Sequence, residues 1–260
     1  MNVLEVSGLQ VGYGSQPVVH GVDITVAEGE VVALLGANGA GKTTTLMAIA
    51  GVLPMLSGEV RIGGEPATAP LHERARAGLG YVTEERSVFK GLTVADNLTV
   101  GGVTREDALR LFPELEKRLT VRAGLISGGE QQMLTLARAL ARRPALLLAD
   151  ELSLGLAPLV VTRLFVALRE AAAEQGSGVL LVEQHVRKAL KYVDRVYVMR
   201  RGRVALALSA QEARERVHDI EQAYLASGES AASSAHGTTP AQASVADRAT
   251  FMESAQGEQQ

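Results

Sequence analysis

Residues 36–44 read Gly36-Ala37-Asn38-Gly39-Ala40-Gly41-Lys42-Thr43-Thr44. An apolar run at 31–35 precedes this stretch and has the composition of a buried strand. A helix-forming run follows and stops at Gly51, with Pro54 just beyond. A strand, a glycine-rich loop, Lys-Thr and a helix in this order are typical of a phosphate-binding loop. An ordinary strand-to-helix turn is the alternative, and the match of the loop together with both flanks argues against it.

The chemistry of this stretch predicts nucleotide binding. Glycines let backbone N–H groups turn inward around a phosphate, and the new helix adds free N–H groups and the positive end of its dipole. Lys42 supplies a positive charge to the β- and γ-phosphates, and the Thr43 hydroxyl is available to Mg²⁺. We expect all nine residues of 36–44 to frame the nucleotide.

Composition excludes several classes of protein. The chain has 260 residues, of which 47% are hydrophobic, and its net charge of -3 gives no reason to expect a nucleic-acid partner. Aromatic residues are 3% and Trp is absent, which argues against stacking platforms for single strands. The chain contains no Cys, and its N-terminus lacks a signal-peptide profile. No apolar run approaches the length needed to span a membrane.

The N-terminal region, 3–35, is expected to be rich in β-structure. Short apolar runs, separated by turns, lie at 3–6, 9–11, 18–19 and 22–26. Tyr13 lies between two glycines, which is an exposed turn position for an aromatic residue. Further strands are expected at 58–62 and at 79–82, and the second of these leads into Thr83 and Glu84.

The middle of the chain changes to a helical pattern, which predicts a helical insertion over 87–125. Thr93 can cap a helix that contains Val94 and Leu98, and Thr104 with Asp107 has the spacing of a capping box. Together with the next helix, the insertion forms a helical subdomain of about 87–140.

Ser127, Gly128, Gly129 and Glu130 open that next helix. Ser127 and Glu130 have the spacing of a capping box. Two glycines in a first helical turn are unfavourable for helix formation, and a helix N-terminus that must admit a phosphate would account for them. A helix that is merely capped is the alternative.

An acidic pair, Asp150 and Glu151, ends the apolar run 145–149. The carboxyl ends of buried parallel strands are where α/β sheets bind ligands. We therefore expect Asp150 to hold Mg²⁺, through water, and Glu151 to orient or deprotonate the attacking water. The alternative is an acidic segment that only precedes the helix expected over about 160–174.

Another buried strand, 178–182, leads into Glu183, Gln184 and His185. The segments 195–199 and 204–208 are predicted to form a closing hairpin. From residue 226 to 260 the composition changes to Ser, Ala, Gly, Thr and Gln, and this segment is predicted to be a disordered polar tail.

The order of these elements, over about residues 2–225, resembles the ATP-binding cassette (ABC) ATPase family, and the run 127–131 resembles its signature motif. The resemblance implies a P-loop NTPase of the ABC ATPase fold, with an N-terminal antiparallel β subdomain and a helical insertion. It implies ATP and Mg²⁺ as ligands and a head-to-tail dimer, in which Ser127, Gly128, Gly129 and Glu130 of one subunit cap the γ-phosphate held by the P-loop of the other. It also implies that Tyr13 stacks on adenine.

Finer details narrow the resemblance. Glu84 stands where most members have the Gln of the Q-loop, which contacts the nucleotide and its metal, and Gln184 stands where most have the switch histidine. With 84–89, 153–158 and 182–184, these residues are similar to an ATPase subunit of branched-chain amino acid importers. Leu152 and Thr83 depart from the pattern, since a Pro is usual at both positions.

In that family the ATPase is a peripheral subunit at the cytoplasmic face of the cell membrane. Its implied partners are integral membrane permeases, a second ATPase subunit that is identical or a sister, and indirectly an extracytoplasmic solute-binding protein. Urea, amides or another small polar solute remain open as cargo. A soluble ABC ATPase that acts on DNA or ribosomes is the alternative of another class, although the chain has no coiled-coil arms and one P-loop only.

Gln184 and His185 compete for the role of γ-phosphate sensor. Successive side chains on an extended segment point to opposite sides, so the two cannot easily both face the nucleotide. Because 182–184 is similar to the branched-chain importer pattern, the resemblance implies that Gln184 is the sensor, and we expect His185 to lie in the turn before a helix at 186–191.

Overall fold

Two β-sheets organise the part of the chain that the computed structural model describes, residues 1–14 and 16–222. The strands of this part are, in chain order, β1 (Asn2–Tyr13), β2 (Gln16–Ala27), β3 (Val31–Leu35), β4 (Met55–Ile62), β5 (Glu65–Pro66), β6 (Leu79–Val82), β7 (Leu146–Asp150), β8 (Gly178–Glu183), β9 (Arg195–Arg200) and β10 (Arg203–Ser209). The first sheet is antiparallel, with the order β2-β1-β4-β5. The second has the order β10-β9-β3-β8-β7-β6 and is parallel except for β10.

Helices connect and cover these sheets. In the described residues they are α1 (Lys42–Ala50), α2 (Leu71–Arg76), α3 (Val94–Val100), α4 (Arg105–Leu111), α5 (Gly128–Leu140), α6 (Pro158–Gln175), α7 (Val186–Ala189) and α8 (Ala210–Glu215). Between β6 and β7 the chain is helical, with two short 3₁₀ segments as well. The expected α/β architecture, with an antiparallel N-terminal sheet and a helical insertion, is confirmed. The predicted tail, 226–260, lies outside the described residues.

The core explains why the central strands are apolar without interruption. In β3, Val31, Ala33 and Leu35 pack into one hydrophobic cluster with α5 and α6, while Val32 and Leu34 pack into a second cluster between the two sheets and α1. Because successive side chains point to opposite faces and both faces are covered, every residue of β3 is buried. This places the carboxyl ends of β3, β7 and β8 side by side at one edge.

The N-terminal expectation of four short strands was wrong. The four apolar runs belong to two strands of 12 residues each, β1 and β2. Their pairing shifts register between Val6 and Leu9, where Gly8 adopts a φ of 58°. Such irregularities interrupt the regular alternation of apolar side chains without ending the strand, which is why the sequence resembles separate pieces.

Helix starts follow the sequence closely. The capping boxes of α3 at Thr93 and of α5 at Ser127 are present, and the Thr104 side chain accepts a hydrogen bond at the start of α4. The hairpin of β9 and β10 is confirmed. The helix expected at 186–191 is shorter, since α7 ends at Ala189.

Arg74, a buried residue of α2, forms hydrogen bonds with the C-terminal end of α1. Its guanidinium donates to the carbonyls of Ala48 at 3.2 Å and Ile49 at 2.5 Å, and also to those of Ala69 and Ala67. The Ala48 and Ile49 carbonyls lie in the last turn of α1, where few helical N–H groups follow: the Ala48 carbonyl also accepts from the Gly51 N–H at 3.0 Å, and Arg74 supplies a donor to Ile49.

Replacing Arg74 by Met should therefore lower the free energy of unfolding by roughly 3 kcal/mol or more, because several buried carbonyls lose their donor. Urea denaturation measures the change. Arg76→Met on the exposed side of the same helix is the matched control. Equal losses for the two variants would contradict this role of Arg74.

Candidate functional site

The glycine-rich loop occupies the turn between β3 and α1. Gly41 stands at the N-cap of α1 with a φ of 100°, and Gly39 has a φ of 77°, which are conformations that favour glycine. At Gly36 an added Cβ would lie 2.5 Å from the Met199 carbonyl oxygen, so no larger residue fits there. The loop thus lies close to neighbouring backbone and directs the N-terminus of α1 toward the pocket, as a phosphate requires.

A turn distant in sequence supports this loop. The Gly202 N–H donates to the Ala40 carbonyl at 2.9 Å, and the Gly202 carbonyl accepts from the His20 N–H at 2.8 Å. Gly202 has a φ of 74°, and an added Cβ would overlap the Val18 carbonyl. The turn between β9 and β10 therefore links the loop to strand β2 of the other sheet. Sequence reasoning identified the hairpin but not this link.

Lys42, the first residue of α1, points into the pocket with only 4% of its side chain exposed. Its Nζ donates to the Ala37 carbonyl at 3.1 Å and lies 3.9 Å from Oε1 of Glu151. Burial lowers the pKa of Lys42 from its ordinary value, and the carboxylates of Glu151 and Asp150 oppose that shift. A buried ammonium group held near carboxylates is well placed to receive the negative charge of a phosphate.

Asp150 ends β7 and is 1% exposed. Burial raises the pKa of Asp150 to about 6, and the nearby Thr43 side chain opposes the rise. The Asp150 Oδ1 atom is buried and has no hydrogen-bond partner within the described chain. A buried carboxylate oxygen without a hydrogen-bond partner, close to a hydroxyl group, could bind a divalent cation directly or through water. Thr43 and Asp150 are thus the residues that would hold Mg²⁺.

Glu151 adopts an unusual backbone conformation, with a φ of 48° in the left-handed region. For a residue with a side chain this costs about 1–3 kcal/mol and is typical of functional positions. Its N–H donates to the Val182 carbonyl at 2.9 Å, and its Oε2 accepts a hydrogen bond of 2.6 Å from Nε2 of Gln184. The turn thereby places a carboxylate and an amide together at the edge of the sheet.

These groups line one open pocket of about 360 Å³. Of the residues predicted to form the site, the pocket is lined by Asn38, Gly39, Gly41, Lys42, Thr43, Thr44, Glu84, Glu151 and Gln184. Within the described chain, Gly36, Ala37, Ala40 and Asp150 do not line the pocket: the first three belong to the loop, and Asp150 is buried at the end of β7. Glu84, which was predicted to contact the nucleotide or its metal, lies in the segment after β6 and lines the pocket.

Other predicted site residues lie elsewhere in this single chain. Tyr13 is 59% exposed at the end of β1, and His185 is exposed at the start of α7; within the described residues neither lines the pocket. Ser127 caps α5 and is exposed. Glu130 completes that cap and accepts a hydrogen bond of 2.7 Å from Arg118.

The two glycines of α5 are tightly packed. An added Cβ at Gly128 would lie 2.8 Å from the guanidinium of Arg86, and one at Gly129 would lie 3.0 Å from Val160. The arginine at Gly128 is flexible and can move aside, whereas a Cβ at Gly129 would press on the branched side chain of Val160. Within the described chain none of residues 127–130 lines the pocket, so the roles predicted for Ser127 to Glu130 require a second subunit.

Three features of the site were not predicted. Val18 of β2 and Leu154 also line the pocket. The carboxylate of Glu183 is buried and accepts hydrogen bonds from Ser153, and burial raises the pKa of Glu183 to about 7. The only signal of Glu183 in the sequence was a charged residue at the end of an otherwise apolar run.

Among the described residues, no helix combines the length and the apolar composition that a membrane span requires.

Comparison with known proteins agrees with this geometry. Residues 19–153 match the family model described as ABC transporter. The chain is 44% identical to the high-affinity branched-chain amino acid transport ATP-binding protein BraG of Pseudomonas aeruginosa, over 75% of this chain and 87% of that protein. It is 35% identical to the lipopolysaccharide export system ATP-binding protein LptB of Escherichia coli, over 86% and 98% of the two chains.

A solved structure of an ATP-binding subunit of an ABC transporter superposes with a TM-score of 0.73 at 29% identity, and the match covers 87% of this chain and 99% of that one. The overall arrangement of strands and helices is thus that of a known fold. The chain belongs to the ABC transporter family, as one of its ATP-binding, ATP-hydrolysing subunits.

Proposed function

We propose that the chain powers the import of branched-chain amino acids by hydrolysing ATP in the pocket at the carboxyl ends of β3, β7 and β8. The observation that carries the proposal is the convergence of Lys42, Glu151 and Gln184 there, since these groups come from three different elements. The similarity to BraG, greater than that to LptB, supports this cargo class.

The chemistry follows from the arrangement of side chains. Lys42 and the N–H groups of the loop bind the phosphates. Thr43 and Asp150 would hold Mg²⁺, which would supply further positive charge to the phosphates. Glu151 takes a proton from the attacking water as the new P–O bond forms, the bond to the ADP oxygen breaks, and the proton passes to the products. Gln184, already bonded to Glu151, can turn its amide N–H toward the γ-phosphate.

The sensor assignment yields a prediction at two adjacent residues. Gln184→Ala should lower turnover by roughly 10-fold or more, whereas His185→Ala should leave it within about twofold, because only Gln184 faces the pocket. Phosphate release at saturating ATP, measured from pH 6 to 8, compares the two. Inactivity of His185→Ala instead would shift the sensor by one residue and weaken the similarity to branched-chain importers.

A second subunit is needed to complete the site. We propose that Ser127, Gly128 and Gly129 of one subunit approach the P-loop of the other, and that Tyr13 stacks on adenine. Two observations support a paired face. Ser127 is exposed at the N-terminus of α5, and Leu159, beside the Val160 that packs on Gly129, is 85% exposed. An apolar side chain of this exposure, close to the accessible N-terminus of α5, suits a face that a second subunit would cover.

Ser127→Arg should abolish hydrolysis while ATP binding to the single subunit stays intact, because the bulky side chain would fill the space meant for the γ-phosphate of the other subunit. Mixing it with Lys42→Ala should restore one composite site per heterodimer if the chain pairs with itself. Absence of activity in heterodimers that are shown to form would contradict sharing of the site.

The permeases need a docking surface, and we propose the groove between β6, α1, α2 and α5. This groove of about 620 Å³ is lined by apolar side chains, among them Val52 and Tyr81, and by the cations Arg76, Arg138 and Arg142. Such a lining suits a cytoplasmic segment of a permease that carries apolar residues and a carboxylate. The subunit would then sit peripherally at the cytoplasmic face of the membrane, and an extracytoplasmic binding protein would deliver cargo.

The cargo is tested by transport. The tagged full-length chain is recovered from membranes with its permeases and reconstituted with the binding protein, and uptake of labelled leucine, urea and an amide is compared. Leucine uptake that requires ATP is expected. Uptake of urea or the amide alone would overturn the cargo, and recovery with lipopolysaccharide-export partners would favour the function that LptB has.

A further inference from the structure

We infer that Glu183 is a positioning residue, which sets the turn that carries Glu151 by holding Ser153 with both oxygens of its carboxylate. The inference rests on the proposed function, since it concerns how the Glu151–Gln184 pair is kept in place. Glu183 itself does not line the pocket within the described chain.

The contact between Glu183 and Ser153 is specific. The Ser153 N–H donates to Oε1 of Glu183 at 3.0 Å, and the Ser153 hydroxyl donates to Oε2 at 2.7 Å. Glu183 is 2% exposed and Ser153 is 3% exposed. A carboxylate is unfavourable in a buried position unless both oxygens are satisfied, so these two bonds explain how it is tolerated at the end of β8.

The position of the contact in the chain gives it its function. Ser153 follows Glu151 by two residues, and Glu183 immediately precedes Gln184. The ends of β7 and β8 are therefore joined three times: by Glu151 N–H to the Val182 carbonyl, by the two Ser153 bonds, and by Gln184 to Glu151. We call this closed set of links, formed by residues 151–153 and 182–184, the ring. It contains both the catalytic carboxylate of Glu151 and the sensor amide of Gln184.

The ring also holds a strained backbone. Glu151 has a φ of 48°, a conformation that persists only when surrounding contacts enforce it. Fixing the N–H of Ser153 restrains the far side of that turn. It also restrains the adjacent Leu154, which lines the pocket. Without Glu183 the turn can relax, and the Glu151 carboxylate loses its orientation while Lys42 and the glycine loop remain unchanged.

The chain contains a matched control. At the start of α8, Ser209 donates to Glu212 from its N–H at 2.8 Å and from its hydroxyl at 2.7 Å, which is the same pair of donors on the same kind of acceptor. This pair is exposed and belongs to a helix cap far along the chain from the catalytic turn. Variants there remove equivalent hydrogen bonds without touching the ring.

The test compares Glu183→Gln, Ser153→Ala and their double variant with Glu212→Gln and Ser209→Ala, all in the full chain with Mg²⁺ and ATP. We expect kcat to fall about 10-fold for each ring variant, with the Kd for ATP within about twofold of wild type, because a small misplacement of a catalytic group costs rate more than binding. The double variant should be no slower than the slower single variant, and the control pair should leave kcat unchanged.

Three results would overturn the inference: a kcat for Glu183→Gln within about twofold of wild type, losses that multiply in the double variant, or kcat and ATP affinity that fall together. Thermal unfolding of each variant identifies any that fails to fold, in which case Ser153→Ala decides. Glu151→Gln is measured alongside. Retained turnover there would defeat the proposed function itself, whereas an inactive Glu151→Gln beside a fully active Glu183→Gln would defeat only the positioning role.

Discussion

Glu151→Gln should lower ATP turnover by roughly 10²-fold or more, the usual scale for loss of a general base, and should leave ATP binding intact. The amide has the same shape and can still accept the hydrogen bond that Gln184 donates to Oε2, so the turn at φ 48° keeps its support. What it cannot do is take a proton from water. With ATP present, the variant should accumulate as a closed dimer.

Single-turnover hydrolysis measures the loss, and size-exclusion chromatography with ATP detects the dimer. Glu212→Gln, which changes a carboxylate in the cap of α8, is the control and should behave as wild type. Unchanged turnover in Glu151→Gln would mean that this residue is only an acidic start of the following segment.

Removing the cation of the glycine loop should weaken ATP binding, in contrast to Glu151→Gln, which should affect turnover. Lys42→Ala should weaken ATP binding by roughly 10²-fold or more, because the phosphates lose a buried, charge-assisted donor. Burial matters here: with 4% of the Lys42 side chain exposed, water cannot replace the charge easily. Lys42→Met keeps most of the volume and should show nearly the same loss, which separates charge from packing.

Equilibrium binding of a labelled nucleotide measures both variants. Lys191→Ala, an exposed lysine after α7, provides the control for removal of a single positive charge. Near wild-type affinity in Lys42→Met would contradict the assignment of the phosphate-binding loop.

The parts of the site that were predictable are those determined by local sequence. The run 31–35 requires burial on both faces, Gly41 permits a φ that other residues avoid, and Ser127 with Glu130 specifies a helix start. Alternation along an extended segment predicted only that Gln184 and His185 point to opposite sides, and the choice of Gln184 came from the similarity of 182–184 to branched-chain importers. Gln184 lines the pocket, and His185 is exposed.

The parts that were missed depend on residues far apart in the chain. Ser153 and Glu183 are 30 residues apart in the sequence. Gly202 and Ala40 are also distant in the sequence, and the fold brings them into contact. No local pattern indicates such pairs, because the partners lie at or beyond the ends of different strands, and the sequence does not state the order of those strands. The continuity of strand β1 was missed for another reason. Its register shifts break the two-residue period on which strand prediction relies.

In the proposed mechanism a second subunit completes the site. The pocket contains the phosphate-binding loop, the acidic strand end and the sensor amide, while the glycines at the start of α5 lie against Arg86 and Val160. A second subunit that brings its α5 to this pocket would exclude water from the reacting phosphate. Closure of the pair would thereby connect hydrolysis to movement of the docked permeases.

The most direct test of the account is ATP hydrolysis by the chain assembled with its permeases, measured with and without the leucine-loaded binding protein. The account predicts a rate that rises several-fold when the loaded binding protein is present, with the rise abolished by Glu151→Gln in the same complex. A rate that is the same with and without the loaded binding protein, or one that survives in Glu151→Gln, would contradict it.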